Sequence, residues 1–168
     1  MEKNNSEHAQ KIVQEIIKKM GFSAKVEIKE MPESSLFYRD SDSSGQESFI
    51  CNILSEEDSS FLIGQQGTNL QALQHIVRLI LRSQVNEKIN FLLDINSYRE
   101  ERMTYVRNMA EEAARQALDE KRAIIMKPMT GFERRIVHMV LGANEAVATE
   151  SIGEDENRKV VVRPVEMV

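Results

Sequence analysis

Tryptophan is absent, and aromatic residues make up only 5% of the 168-residue chain. A single cysteine, Cys51, excludes an internal disulfide and any zinc site built from several thiolates. The three histidines, His8, His75 and His138, lack metal-ligand spacing. There is no P-loop and no nucleotide-binding Gly-x-Gly-x-x-Gly. No apolar run approaches the ~18 residues that span a bilayer, so no membrane insertion is expected. The opening Met1-Glu2-Lys3-Asn4-Asn5 has no apolar core of a secretory signal. These absences point to a cytoplasmic protein without metal or cofactor, and to binding rather than catalysis. Excess positive charge is missing too. The net charge of -5 argues against a general polyanion binder. Residues 59–88 run against that trend, with Arg78, Arg82 and Lys88 facing Glu87 alone, so contacts to phosphate would have to be local.

What is present reads as an α+β chain. Apolar residues at Ala9, Ile12, Val13, Ile16, Ile17 and Met20 have helical spacing from Ser6, and Gly21 stops the helix. Lys25–Lys29 alternates as a strand, and residues 39–47 are polar and read as a mobile loop. Phe49–Leu54 is a second strand, and Ser55 with Asp58 predicts a capped short helix ending at Gly64. A further helix starts after Gly67 and runs to about Val85. Its predicted apolar face is Leu70, Leu73, Ile76, Val77, Ile80 and Leu81, and its wet face Gln71, Gln74, His75, Arg78 and Arg82. Ile89–Ile95 completes an αββααβ order, which fits helices on one face of a three-stranded sheet. Ser97 and Glu100 predict a second capping box, on a long helix to about Arg122. A strand at Ala123–Met126, a helix capped by Thr130 and Glu133, and strands at Ala146–Ile152 and Val160–Arg163 follow. The expected domains are 1–96 and 97–168.

Ile63-Gly64-Gln65-Gln66-Gly67-Thr68 joins two helices. Paired glycines let a backbone turn tightly and approach a ligand, and the next helix offers N–H groups at Thr68, Asn69 and Leu70 to a phosphate. A plain helix corner gives the same pattern, and the αββααβ frame raises the weight of the binding reading against it. With Leu70-Gln71-Ala72-Leu73-Gln74 the stretch resembles a KH domain of the type II order. That resemblance implies a clamp on the backbone of a single strand. Gln65 and Gln66 depart from the often basic turn of bacterial relatives, which lowers the expected phosphate attraction.

At 100° per residue, Phe132, Ile136, Met139 and Val140 share the predicted core face of the later helix. Arg134 and His138 fall together on the opposite side, flanked by Arg135. Such a pair can contact phosphate and stack on a base, although a solvated face with an incidental histidine has the same spacing. Glu133–His138, Thr149–Gly153 and Arg158–Val162 resemble the R-three-H domain, named for its Arg-x-x-x-His. Tyr98, Arg99 and Arg102 resemble the linker helix of the bacterial Jag (SpoIIIJ-associated) family, which joins the two modules in this order. That family's own N-terminal domain is not expected here. The resemblance implies binding of single-stranded RNA at Ile63, Gly64, Gln65, Gln66, Gly67 and Thr68 and at Arg134, Arg135, His138, Arg158 and Lys159. It also implies a role in cell elongation or division, and a small KH-domain protein partner. Arg99 and Arg102 would either join that surface or brace the two modules. Two alternatives stay open: a protein scaffold with weakened RNA affinity, and a binder of single-stranded DNA through the second module.

Overall fold

The computed structural model describes residues 2–31, 48–84 and 89–167. The loop expected at 39–47 lies outside them, as do Val85 and Lys88. The chain divides into two compact units, Met1–Tyr98 and Arg99–Val168.

In the first unit the described elements are α1 (Glu2–Lys19), β1 (Lys25–Glu30), β2 (Ser48–Leu54), α2 (Ser59–Ile63), α3 (Thr68–Gln84) and β3 (Asn90–Ile95). The sheet order is β1-β2-β3, with β1 antiparallel and β3 parallel to the central strand. Alternation along the strands sends Val26, Cys51, Ile53, Phe91, Leu93 and Ile95 into one core with Val13 and Ile17 of α1 and Leu70, Val77 and Leu81 of α3. Burial pushes the Cys51 thiol up to about 12.

Two expectations about the faces of α3 fail. Ile76 is half exposed, while Gln74, placed on the wet face, is buried. The reason is the edge of β3. Gln74 Nε2 donates to the Phe91 carbonyl at 3.3 Å, and its Oε1 accepts from the Leu93 N–H at 2.5 Å. A side-chain amide thus satisfies edge groups that burial would otherwise leave unpaired. The two predicted caps also shift. Ser55 Oγ accepts the Asp58 N–H in a turn before α2, whose N-cap is Asp58, with no side-chain cap bond. Ser97 has a positive φ of 62°, not the extended backbone of an N-cap. Asn96, also left-handed, pairs its side-chain amide with both backbone groups of Ser55.

In the second unit, α4 (Tyr98–Glu120, its first residue belonging to the first unit), β4 (Ile124–Ile125), α5 (Gly131–Leu141), β5 (Val147–Ile152) and β6 (Lys159–Pro164) follow. The strand expected at 123–126 shrinks to two residues. The sheet order is β4-β6-β5, all antiparallel. Val160 and Val162 of β6 pack with Ala110, Ala113, Ala114 and Ala117 of α4 and Ile136, Val137 and Leu141 of α5. Met139, expected in the core, is exposed. Thr130 caps α5 as predicted: its Oγ1 accepts the Glu133 N–H, and Glu133 Oε2 accepts the Thr130 N–H at 2.8 Å.

Candidate nucleic-acid interface

The glycine turn of the first unit is built almost entirely from backbone. Gly64 ends α2 with φ 70° and ψ 180°, a conformation closed to other residues without strain. Gln65–Gly67 form a single 3-10 turn, with Gln66 left-handed at φ 52°. Gly67 is buried at φ 82°, where an added Cβ would stand 3.1 Å from the Tyr98 ring. Ile63 is half-buried against the core; Gln65, Gln66 and Thr68 are exposed.

Nearby polar groups are already used. Thr68 Oγ1 donates to the Gln65 carbonyl at 2.6 Å, and the Thr68 N–H donates to the same oxygen. Asn69 Nδ2 donates to the Phe61 carbonyl at 2.7 Å. The Thr68 amide was expected to be free for a ligand; the turn itself consumes it. What the turn presents outward is a neutral rim of two glutamine side chains.

The second unit gathers its groups differently. Arg134 Nη1 donates to the Met129 carbonyl at 2.9 Å, and the Met129 N–H donates to the Arg158 carbonyl at 3.2 Å. Arg134 is thereby tied to the end of the β5–β6 hairpin that carries Arg158 and Lys159. His138, one turn further along α5, meets the same hairpin. Its Nδ1 lies 2.7 Å from Thr149 Oγ1 and its Nε2 2.8 Å from Ser151 Oγ. This corrects the expectation of a freely exposed face opposite the core. His138 is half-buried, since the buried side of α5 extends to Glu133 and Val137 and excludes Met139. Arg134 and His138 are thus both tied to the β5–β6 hairpin, which carries Arg158 at its end, whereas Lys159 alternates with buried Val160 and lies on the other face of the sheet. Arg135 is exposed.

Glu133 is the charged residue that motif spacing did not single out as buried. It is 2% exposed, and its Oε1 accepts from Arg102 Nε at 2.6 Å. Arg102 also lies over the Tyr105 ring, 5.1 Å from its centre. Arg102 is therefore engaged inside the second unit, where it balances a buried carboxylate.

Residues 104–164 match the family model of the R-three-H domain. The second unit carries an R-three-H domain. The chain is also similar to curated bacterial proteins named RNA-binding protein KhpB. Identity is 34% over 109 residues with the Clostridium symbiosum protein, covering 65% of this chain and 49% of the relative. It is 35% over 108 residues with that of Bacillus subtilis, covering 63% and 52%. With that of Lactiplantibacillus plantarum it is 35% over 101 residues, covering 60% and 31%. The chain thus spans from about a third to about half the length of the curated relatives it matches.

Among the described residues no group of three or more His, Cys, Asp or Glu side chains is placed to hold a metal. No described helix is long and apolar enough to cross a membrane. A cleft of about 400 Å³ in the R-three-H domain lies between α4 and β4, lined by residues such as Met109, Ala113 and Ile124 and by neither Arg134 nor His138. Cys51 is fully buried in the first unit and so takes no part in surface chemistry.

Proposed function

We propose that this chain binds single-stranded RNA and performs no chemistry on it. The observation that supports the reading is that Arg134 and His138 are both held at one hairpin of an R-three-H domain, with Arg158 at its end, in a chain whose relatives are named RNA-binding proteins. Arginine and lysine neutralise phosphates, and unstacked bases find flat partners in histidine and arginine.

The first unit acts as the second module, a KH-like domain whose Gly64–Gly67 turn holds the strand by backbone amides at the start of α3. Ile63 supports a base beside it. The helix dipole adds attraction that the two glutamines do not. The same resemblance supports a cytoplasmic post-transcriptional regulator tied to bacterial cell elongation or division, with a small KH-domain protein as partner.

Fluorescence anisotropy with labelled single-stranded RNA at about 50 and 200 mM salt tests the reading. Binding should weaken with salt, and Arg134→Glu should weaken it further. Absence of binding at low salt rejects it. One observation favours a protein scaffold instead: the neutral Gln65-Gln66 rim on a chain of net charge -5. In that case protein would co-purify with the chain after RNase treatment, without bound RNA. Competition by DNA of the same sequence separates a DNA binder, since only a contact to the 2′-hydroxyl distinguishes the sugars.

A further inference from the structure

Thr149 and Ser151 stand two apart on β5, so their side chains share a face. Register identifies that face: Thr149 pairs with Val162 and Ser151 with Val160, both wholly buried, so the two hydroxyls point toward the helix layer. There they take both ring nitrogens of His138, at 2.7 and 2.8 Å. A neutral imidazole has one donor and one acceptor, and an imidazolium has two donors; a hydroxyl can answer either. Both nitrogens are therefore occupied in every protonation state. A ligand cannot reach a ring N–H of His138 without breaking a bond inside the protein.

From this we propose that Thr149 and Ser151 are positioning residues which fix His138 edge-on, so that it meets a single strand with the face of its ring. The ligand group is an unstacked nucleobase, not a phosphate. Arg134, one turn earlier on α5, complements it, with its Nη1 bound to the Met129 carbonyl. Base stacking on a fixed flat group is insensitive to salt, whereas phosphate contacts release counterions. The inference rests on the RNA-binding reading and assigns the phosphates to Arg158 and Arg135.

The test uses the full chain with two fluorescein-labelled strands: oligoadenylate, and an abasic phosphodiester strand of equal length. His138→Ala should weaken oligoadenylate binding about tenfold, leave the salt dependence unchanged, and leave abasic binding unchanged. Thr149→Val with Ser151→Ala keeps the shape of the pair but removes the hydroxyls. It should reproduce most of that loss, while Thr149→Ser and Ser151→Thr should retain wild-type affinity. The ¹H–¹⁵N spectrum of the His138 ring reports the clamp without RNA. Its N–H should be protected from exchange in the wild type and exposed in the double variant. An equal loss on both strands, or a reduced salt slope for His138→Ala, would overturn the inference and make His138 a phosphate ligand. Full affinity of the double variant overturns the positioning role. Wild-type protein that binds neither strand removes the RNA-binding reading and this inference together.

Discussion

The two units build their exposed polar surfaces in opposite ways. In the first, the glycine turn offers backbone, its flanking side chains are neutral, and Thr68 and Asn69 are spent on nearby carbonyls. In the second, the R-three-H domain offers cationic and aromatic side chains, with Arg134 and His138 each held by a neighbour on another segment. A site made of backbone depends on φ angles and close approach. A site made of side chains depends on what clamps them. The same polymer thus builds one surface that a glycine substitution breaks and another that substitutions well outside the motif can break.

The largest expected effect lies behind the second surface. Arg102→Ala leaves the Glu133 carboxylate, whose side chain is 3% exposed, without its partner. Removing one member of a buried pair costs about 3 kcal/mol or more. Urea unfolding of the full chain should show the loss, and a change below about 1 kcal/mol would mean the pair behaves as a surface one.

Next comes Gly64→Ala. Its added Cβ would stand 2.6 Å from Asn69 Cγ on a backbone that L residues avoid. The cost is about 2 kcal/mol, with RNA affinity falling as the turn distorts. Unchanged affinity in this variant would place the grip wholly on the R-three-H domain.

Charge exchange between the surfaces should have a smaller effect. Arg158→Gln removes a phosphate contact that the proposal assigns and should lower the salt slope by about 0.7. Gln65→Lys with Gln66→Lys should raise it by about 0.7 for each. If the added lysines leave the slope flat, the turn does not lie along the strand.

The smallest contrast is with pH. Cys51 is raised to about 12 from 9.0 by burial in the first unit, and the R-three-H domain has no cysteine. A raised folded-state value means that its contribution to stability is complete below pH 9 and is lost as pH climbs toward 12. The thiol should resist labelling at neutral pH until urea unfolds the first unit. Rapid labelling of the native protein would show that strand β2 opens without global unfolding.

Much of this was legible in the sequence wherever the signal was local. The described helices and strands of the first unit, the turn at Gly64 and the capping box at Thr130 follow from residue spacing, since helix period, strand alternation and left-handed glycines act within a few residues. Helical periodicity also located Arg134 and His138 one turn apart. It placed Ile136, Phe132 and Val140 at the core correctly but put exposed Met139 there and left out buried Glu133, because the apolar count on that short helix treats Glu133 as polar. Burial of Glu133 becomes tolerable only through Arg102, thirty-one residues earlier in the chain. Gln74 misled in the same way: its amide reads as solvent-facing until the edge of β3 is seen to need it.

The sequence by itself therefore determined the local elements, the glycine turn and the Arg-x-x-x-His spacing, because short-range sterics and hydrogen bonding set each of them. Only the tertiary structure decided which way His138 faces. Register between β5 and β6 turns Thr149 and Ser151 inward, and that pairing is a contact between segments that local periodicity does not contain. The same holds for the link from Arg134 through Met129 to Arg158, which joins the end of the hairpin to the helix.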